Sequence, residues 1–264
     1  MREILIDLKA LKENLQYIKA KAGVPVLAVV KADAYGHGLI QCAKAASEAG
    51  ADYLGTALLE EAFAIREAGI QTPLLAWLNP PGLDYTKAVS QNIEIGVSSL
   101  ATFDEVNAIA GAKIHLKVET GMGRNGFSDE WPELLNRDLS KVVGVMMHFA
   151  RADEPNEIQN KNQIANFEAR VSELKAKGIN PIRHISNTAA TLSNESAKYD
   201  MVRVGLAMYG MSPLGRDNNL KPIMKVRAKL VVVKELPAGH PIGYGATVFT
   251  KEATKIGKIG RAHV

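Results

Sequence analysis

The sequence predicts an α/β protein, a (β/α)8 TIM-type barrel followed by an incomplete C-terminal β domain. Three observations carry that expectation. Short runs rich in Val, Ile and Leu alternate with amphipathic, Ala/Glu/Lys-rich stretches, the pattern of βα units around a parallel sheet. Eight such runs can be placed, at spacings of about 20 to 40 residues. The chain of 264 residues would be nearly used up by one such barrel, which needs about 250.

In chain order the expected strands are Val26–Val30, Tyr53–Thr56, Leu74–Trp77, Glu94–Val97, Ile114–Val118, Val142–Met147, Ile182–Ser186 and Met201–Val204. Pro25 precedes the first, where a missing N–H does least harm to a sheet ladder. Between them, Leu58–Ala68, Thr102–Ala110 and Asn156–Ala176 carry apolar residues at three- and four-residue spacings, which predicts helices. An open doubly wound sheet is the structural rival, and periodicity alone does not exclude it. After Gly210 the pattern changes. Lys225–Glu235 and Ile242–Thr250 read as strands with no helix between them, and Thr254–Ile259 as a third. The turn-rich GRDNNLKP marks the change, so residues 1–218 are expected to form the barrel and 219–264 the start of a β domain. A domain of about 40 residues is marginal alone, which is why it is expected to be incomplete.

Composition narrows the function. Hydrophobic residues are 47% and charged residues 23%, which excludes a disordered tail, a collagen-like repeat and a coiled-coil rod. The formal charge of +4 is scattered, with no run of five basic residues, so no nucleic-acid partner is expected. A mild positive surplus equally suits an anionic small molecule in one pocket. Cys42 is the only cysteine, which excludes an intrachain disulfide and a thiolate metal cluster. The N-terminus, MREILIDLKALKEN, has no apolar stretch of the signal-peptide kind, and the longest apolar run, around Val24–Val30, is too short to span a bilayer. The expectation is a cytoplasmic protein with no membrane partner.

In a barrel, chemistry sits on the loops that follow the strands. Lys31 follows the first strand, Gly121–Gly126 the fifth, His148 the sixth and Asn187–Thr188 the seventh; Arg203 and Gly205 lie at the eighth. These polar groups converge on one rim from distant parts of the chain. A lysine ending a buried strand is either a snorkelling rim lysine or a Schiff-base lysine, its amine freed by desolvation and nearby cations. Gly121-x-Gly123-x-x-Gly126 has dinucleotide-fingerprint spacing, but it follows the fifth strand, and Pro132 disfavours an immediate helix. Close backbone approach to a ligand, with Arg124 reaching in, suits these glycines better. Thr188 with Gly205 and Leu206 is a candidate phosphate cradle; a plain N-cap is the other reading of Thr188. His148 and His184 read as hydrogen-bonded rim histidines and not as metal ligands, since no carboxylate or third histidine lies near them at ligand spacing. Tyr244, between glycines, reads as a strand tyrosine at a bend. A barrel with one such lysine, two buried arginines (Arg124 and Arg203) and a phosphate cradle fits pyridoxal-phosphate chemistry or a lysine-dependent aldolase acting on a sugar phosphate.

Six ordered blocks make the choice more specific. They are Val29–Gly38 (VVKADAYGHG), Lys117–Arg124 (KVETGMGR), His148–Glu154 (HFARADE), His184–Leu192 (HISNTAATL), Val202–Gly210 (VRVGLAMYG) and Gly243–Thr247 (GYGAT). Together they resemble the alanine racemase family, pyridoxal-phosphate enzymes with a barrel and a C-terminal β domain. The resemblance implies interconversion of L- and D-alanine by two bases, with D-alanine going to peptidoglycan. Lys31 would hold pyridoxal 5'-phosphate and act as one base, and Tyr244 would be the other, on the opposite face of the substrate α-carbon. Arg203 would face the pyridine nitrogen, oriented by His184. His148 would line the cofactor, while Tyr35, Asn187, Thr188, Gly205 and Leu206 would hold it, chiefly at the phosphate. Arg124 would reach the cofactor's phenolic oxygen or the substrate carboxylate, and Lys117 sits where some members carry a carbamylated lysine. The resemblance also implies a head-to-tail homodimer with shared sites, in which Tyr244 serves the partner's Lys31. The family continues past Ile259 into more of the β domain. Here the chain ends Ile259-Gly260-Arg261-Ala262-His263-Val264, which is also the translation of a common sequencing adapter, so a non-native end is expected. A broader-specificity racemase, or a cofactor-binding but inactive truncated barrel, remains open as an alternative.

Overall fold

The computed structural model describes residues 2–215 and 217–260. Most of the expected end sequence, residues 261–264, lies outside them. The chain divides into two compact units. One spans Asp7–Ile223, and the other joins the N-terminal strand β1 (Arg2–Ile6) to the chain from Met224 onward. The expected division at 218/219 kept the N-terminus in the barrel. The structure differs because β1 pairs antiparallel with β10 (Met224–Ala228), from Ile6 opposite Met224 to Arg2 opposite Ala228.

The larger unit is the expected barrel. Its strands are β2 (Val26–Val29), β3 (Tyr53–Thr56), β4 (Leu74–Ala76), β5 (Ile93–Val97), β6 (Ile114–Lys117), β7 (Val142–Met146), β8 (Ile182–His184) and β9 (Val202–Val204). All ladders are parallel, and the order β8-β7-β6-β5-β4-β3-β2-β9 brings the last strand back beside the first. An open doubly wound sheet does not do this. The seam between β8 and β9 is bridged by Asp200 N–H to Arg183 C=O at 3.1 Å and Arg203 N–H to Ser186 C=O at 2.8 Å. Strand alternation points every second side chain inward. The interior so formed is filled by Leu27, Val29, Leu75, Met146 and Met201, with Tyr53, Trp77 and Ile182 packed against them.

Helices form where the spacing predicts them: Leu59–Glu67, Leu100–Asn107 and Ile158–Ala176. The first helix, Leu8–Ala22, starts at Asp7, whose carboxylate accepts the Ala10 N–H at 3.0 Å, and buries Leu11, Leu15 and Ile18. Among the described residues no helix is long and apolar enough to cross a membrane.

In the smaller unit β11 (Leu230–Leu236) pairs with β14 (Thr254–Ile259), and β12 (Pro241–Ile242) with β13 (Val248–Phe249), both antiparallel. The expected strand Lys225–Glu235 is two strands, because β10 and β11 have different partners. The expected strand Ile242–Thr250 is interrupted by a 3-10 turn at Tyr244–Ala246.

Candidate active site

The loops at the carboxyl ends of the barrel strands enclose a cavity of about 530 Å³. Ten of the twelve expected site residues line it: Lys31, Tyr35, Lys117, Arg124, His148, Asn187, Thr188, Arg203, Gly205 and Leu206. His184 lies directly behind Arg203. Tyr244 belongs to the smaller unit, where it is fully exposed in its 3-10 turn between left-handed Gly243 and Gly245.

Lys31 opens a tight left-handed turn. Ala32, Asp33, Ala34 and Tyr35 all have φ between 52° and 56°. This conformation costs roughly 1–2 kcal/mol per non-glycine residue. Compensating hydrogen bonds hold it: Glu61 accepts the Ala32 N–H at 2.5 Å, and Asp33 accepts the Leu39 N–H at 2.7 Å. The turn carries the Tyr35 ring to 4.8 Å from that of Tyr209. Lys31 is half-buried, and burial first, then the Arg124 charge, lowers its pKa, with Glu61 opposing. That favours a free amine, the form that attacks a carbonyl.

Arg203 is buried on β9. Its Nη1 donates to the His184 carbonyl and to His184 Nδ1 at 3.2 Å; Nη2 donates to the Met147 carbonyl at 2.5 Å and faces His148 Nδ1 at 3.4 Å. Burial, then Arg124, pulls its pKa down to about 10, so it stays cationic at neutral pH. His148 and His184 are held far below the ordinary imidazole range by burial first; Arg203 and Lys117 add to this in both, and His115 in His184. Both are therefore neutral hydrogen-bonding groups. Burial, then Arg203 and Arg124, brings Lys117 down to about 7.

Arg124 is exposed, contrary to the expectation of a second buried arginine, because it rides on a loop and not on a strand. Glu119 holds that loop by accepting the N–H groups of Gly121 at 2.5 Å, Met122 at 2.6 Å and Arg124 at 3.3 Å. The glycine spacing thus serves a carboxylate of the chain itself. Those N–H groups are not offered to a pyrophosphate, which removes the dinucleotide reading.

At the other side of the cavity, Asn187 and not Thr188 caps the helix Thr188–Ser193, its side chain accepting the Ala190 N–H at 3.1 Å. Thr188 Oγ1 instead accepts the Gly205 N–H at 3.2 Å. A Cβ at Gly205 would collide with the Tyr35 hydroxyl, so only glycine lets these groups meet. Two hydroxyls beside a backbone turn, in a cavity also lined by Lys31, Arg124 and Arg203, could cradle an anion.

Two interior residues were not singled out from sequence. His115 lies on β6 and Glu94 on β5; His115 Nδ1 is 2.8 Å from His184 Nε2, and its Nε2 is 2.8 Å from a Glu94 carboxylate oxygen. The alternation His115-x-Lys117 was the available signal, since it places both on one face of a strand.

Comparison with known proteins shows which family the chain resembles. The family profile described as "Alanine racemase, N-terminal domain" matches residues 6–213. The alanine racemase of Salinispora tropica is 40% identical over 97% of this chain and 73% of its own length. The crystal structure of alanine racemase from D-cycloserine-producing Streptomyces lavendulae superposes with a TM-score of 0.87 at 39% identity, over 96% of this chain and 72% of that one. That of Bacillus anthracis alanine racemase with bound L-Ala-P superposes at 0.81 with 32% identity, over 98% of this chain and 72% of that one. A profile match across the whole barrel, and relatives that share both its sequence and its fold, show that this chain belongs to the alanine racemase family.

Proposed function

We propose that this chain forms the pyridoxal-phosphate site of an isomerase that interconverts L-alanine and D-alanine in the cytoplasm and supplies D-alanine for peptidoglycan. The observation that carries the reading is the meeting of Lys31, Arg203 and the Tyr35–Thr188–Gly205 cradle in one cavity. The donor set fits the cofactor: an amine of lowered pKa for its aldehyde, an arginine for its ring nitrogen, and hydroxyls beside a glycine for its phosphate. When bound, pyridoxal phosphate supplies the electron sink that makes the substrate's α-hydrogen acidic.

The chain's own groups do the rest. Lys31 holds the cofactor through its ε-amine and exchanges a proton at one face of the α-carbon. Arg203 has its Nη hydrogens committed to protein acceptors, which leaves Nε–H as the donor toward the ring nitrogen. A permanent cation there would keep that nitrogen unprotonated and limit electron withdrawal into the ring. His148 lines the cofactor, and Asn187 and Leu206 complete its binding set. Arg124 binds the phenolic oxygen or the substrate carboxylate. The lowered pKa of Lys117 provides the neutral amine that carbamylation by CO2 requires. Tyr244 is the base for the opposite face, contributed to the Lys31 of a second copy in a head-to-tail homodimer.

L-alanine incubated in heavy water with pyridoxal phosphate tests this. Deuterated D-alanine is the expected product. The second reading is a barrel that binds the cofactor without turnover, in which exposed Tyr244 serves no second copy. Unlabelled L-alanine as the sole species would select it.

A further inference from the structure

The polar chain behind Arg203 runs through the barrel interior, away from the cavity. It passes from Arg203 on β9 to His184 at the end of β8, to His115 on β6 and to Glu94, the second residue of β5. His115 and His184 are fully buried and Glu94 nearly so. At the far end Lys113, largely exposed, lies 3.4 Å from the other Glu94 oxygen. The barrel is shaped for this path. Gly144 on β7 faces His115, and a Cβ there would collide with the His115 ring.

Hydrogen-bond chemistry allows one direction along it. Arginine has only donors, so His184 Nδ1 must be bare to accept from Arg203 Nη1. His184 Nε2 therefore carries the proton and donates to His115 Nδ1. His115 Nε2 then carries its proton and donates to Glu94, whose carboxylate has only acceptors. Doubly protonating His115 would make His184 Nε2 its acceptor and put the His184 proton on Nδ1, where it would face the Arg203 donor. Burial would push the Glu94 carboxyl up, but the His115 hydrogen bond and the Lys113 charge hold it below the usual range, so the carboxylate form persists.

We propose that Glu94 and His115 are positioning residues for the cavity. Acting through His184, they fix the orientation of Arg203. Arg203 is the only charged group at the cavity end of this hydrogen-bond path, and Glu94 the only one at the other end to which the path delivers its donors. The inference rests on the cofactor reading above for what Arg203 does, but not for the direction of the path.

The test is nitrogen-15 NMR of histidine-labelled, cofactor-free full chain at neutral pH. The expected result is that His184 and His115 each carry the proton on Nε2 and have a bare Nδ1. A proton on His184 Nδ1 would overturn the proposal. Glu94→Leu is expected to scramble the His184 tautomer and to weaken retention of pyridoxal phosphate, read by its absorbance, by about tenfold or more. Glu94→Gln keeps an oxygen that accepts from His115, and is expected to preserve the tautomer and hold the cofactor more tightly than Glu94→Leu. A merely structural Glu94 would lower thermal stability while both the tautomer and the affinity stayed those of the wild type, and that result would also overturn the proposal. If Glu94→Leu does not fold, the wild-type spectrum still decides, because a proton on His184 Nδ1 overturns the proposal. Borohydride trapping of the wild type separates the two claims. No label on Lys31 would sink the cofactor reading and leave the tautomers intact, whereas normal labelling with an affinity indifferent to Glu94 would sink this one alone.

Discussion

In the barrel unit, eight parallel strands enclose a shared interior of Leu27, Val29, Leu75, Met146 and Met201. In the smaller unit, three two-stranded ladders leave Val226, Val231, Val233, Val248 and Phe249 exposed. Two-stranded pairs are marginal in water without a covered apolar face. The same division separates the proposed chemistry. Every residue that lines the cavity belongs to the barrel, while Tyr244, the proposed second base, is exposed on the smaller unit. A preorganised cofactor site needs side chains locked by packing, and among the described residues only the barrel provides that.

The largest effects should fall on the barrel side. Lys31→Ala is expected to abolish covalent retention of pyridoxal phosphate, whereas Tyr244→Phe should retain it in full and affect only proton transfer at one face. Absorbance of the bound cofactor compares the two; loss of retention in the tyrosine variant would show that the smaller unit helps to build the cofactor site. Next in size is hydrogen exchange. Amides of β4 and β5 should exchange at least about a hundredfold more slowly than those of β10 and β11. Equal protection would erase the contrast.

A pH effect comes third and involves buried His184. The ordinary imidazole value is 6.5, and the folded side chain sits well below it. Between those values the unfolded chain binds a proton that the folded chain does not, so stability falls as the pH drops below 6.5. The slope is about 1.4 kcal/mol per pH unit for this group, and it levels off above 6.5, where both states are neutral. Denaturant unfolding between pH 5 and about 8 measures it, with His184→Gln expected to lessen the slope and leave the part due to buried His148. Smallest is Gly205→Ala, which must displace the Tyr35 hydroxyl. Cofactor affinity should fall several-fold, about 1 kcal/mol, with Lys31 still labelled by borohydride. Unchanged affinity would remove Tyr35 and Gly205 from the cradle.

The parallel strands were legible because burial on both faces writes a continuous apolar run, as in Val26–Val29. β1 was not. Its five residues, Arg2-Glu3-Ile4-Leu5-Ile6, do not alternate, and its partner β10 lies more than 200 residues away, so no local signal announces it. The break at Lys229 between β10 and β11 was hidden for a related reason: composition is uniform across it, and only the change of partner splits the strand. Cavity residues were legible where they follow strands and form motifs, as Lys31 and Thr188 do. Glu94 and His115 lie within strands, where a polar residue usually signals a solvent face, and only the closed barrel turns them inward. The Gly121–Gly126 loop shows the converse. Its spacing advertised a ligand, but Glu119 takes up the N–H groups.

The central claim is that the barrel holds pyridoxal phosphate through Lys31. Incubation with the cofactor, borohydride reduction and peptide mass mapping test it most directly. One reduced pyridoxyl adduct is expected, on Lys31, absent from Lys31→Ala. An unlabelled Lys31, or labelling spread over surface lysines with Lys31 spared, would contradict it.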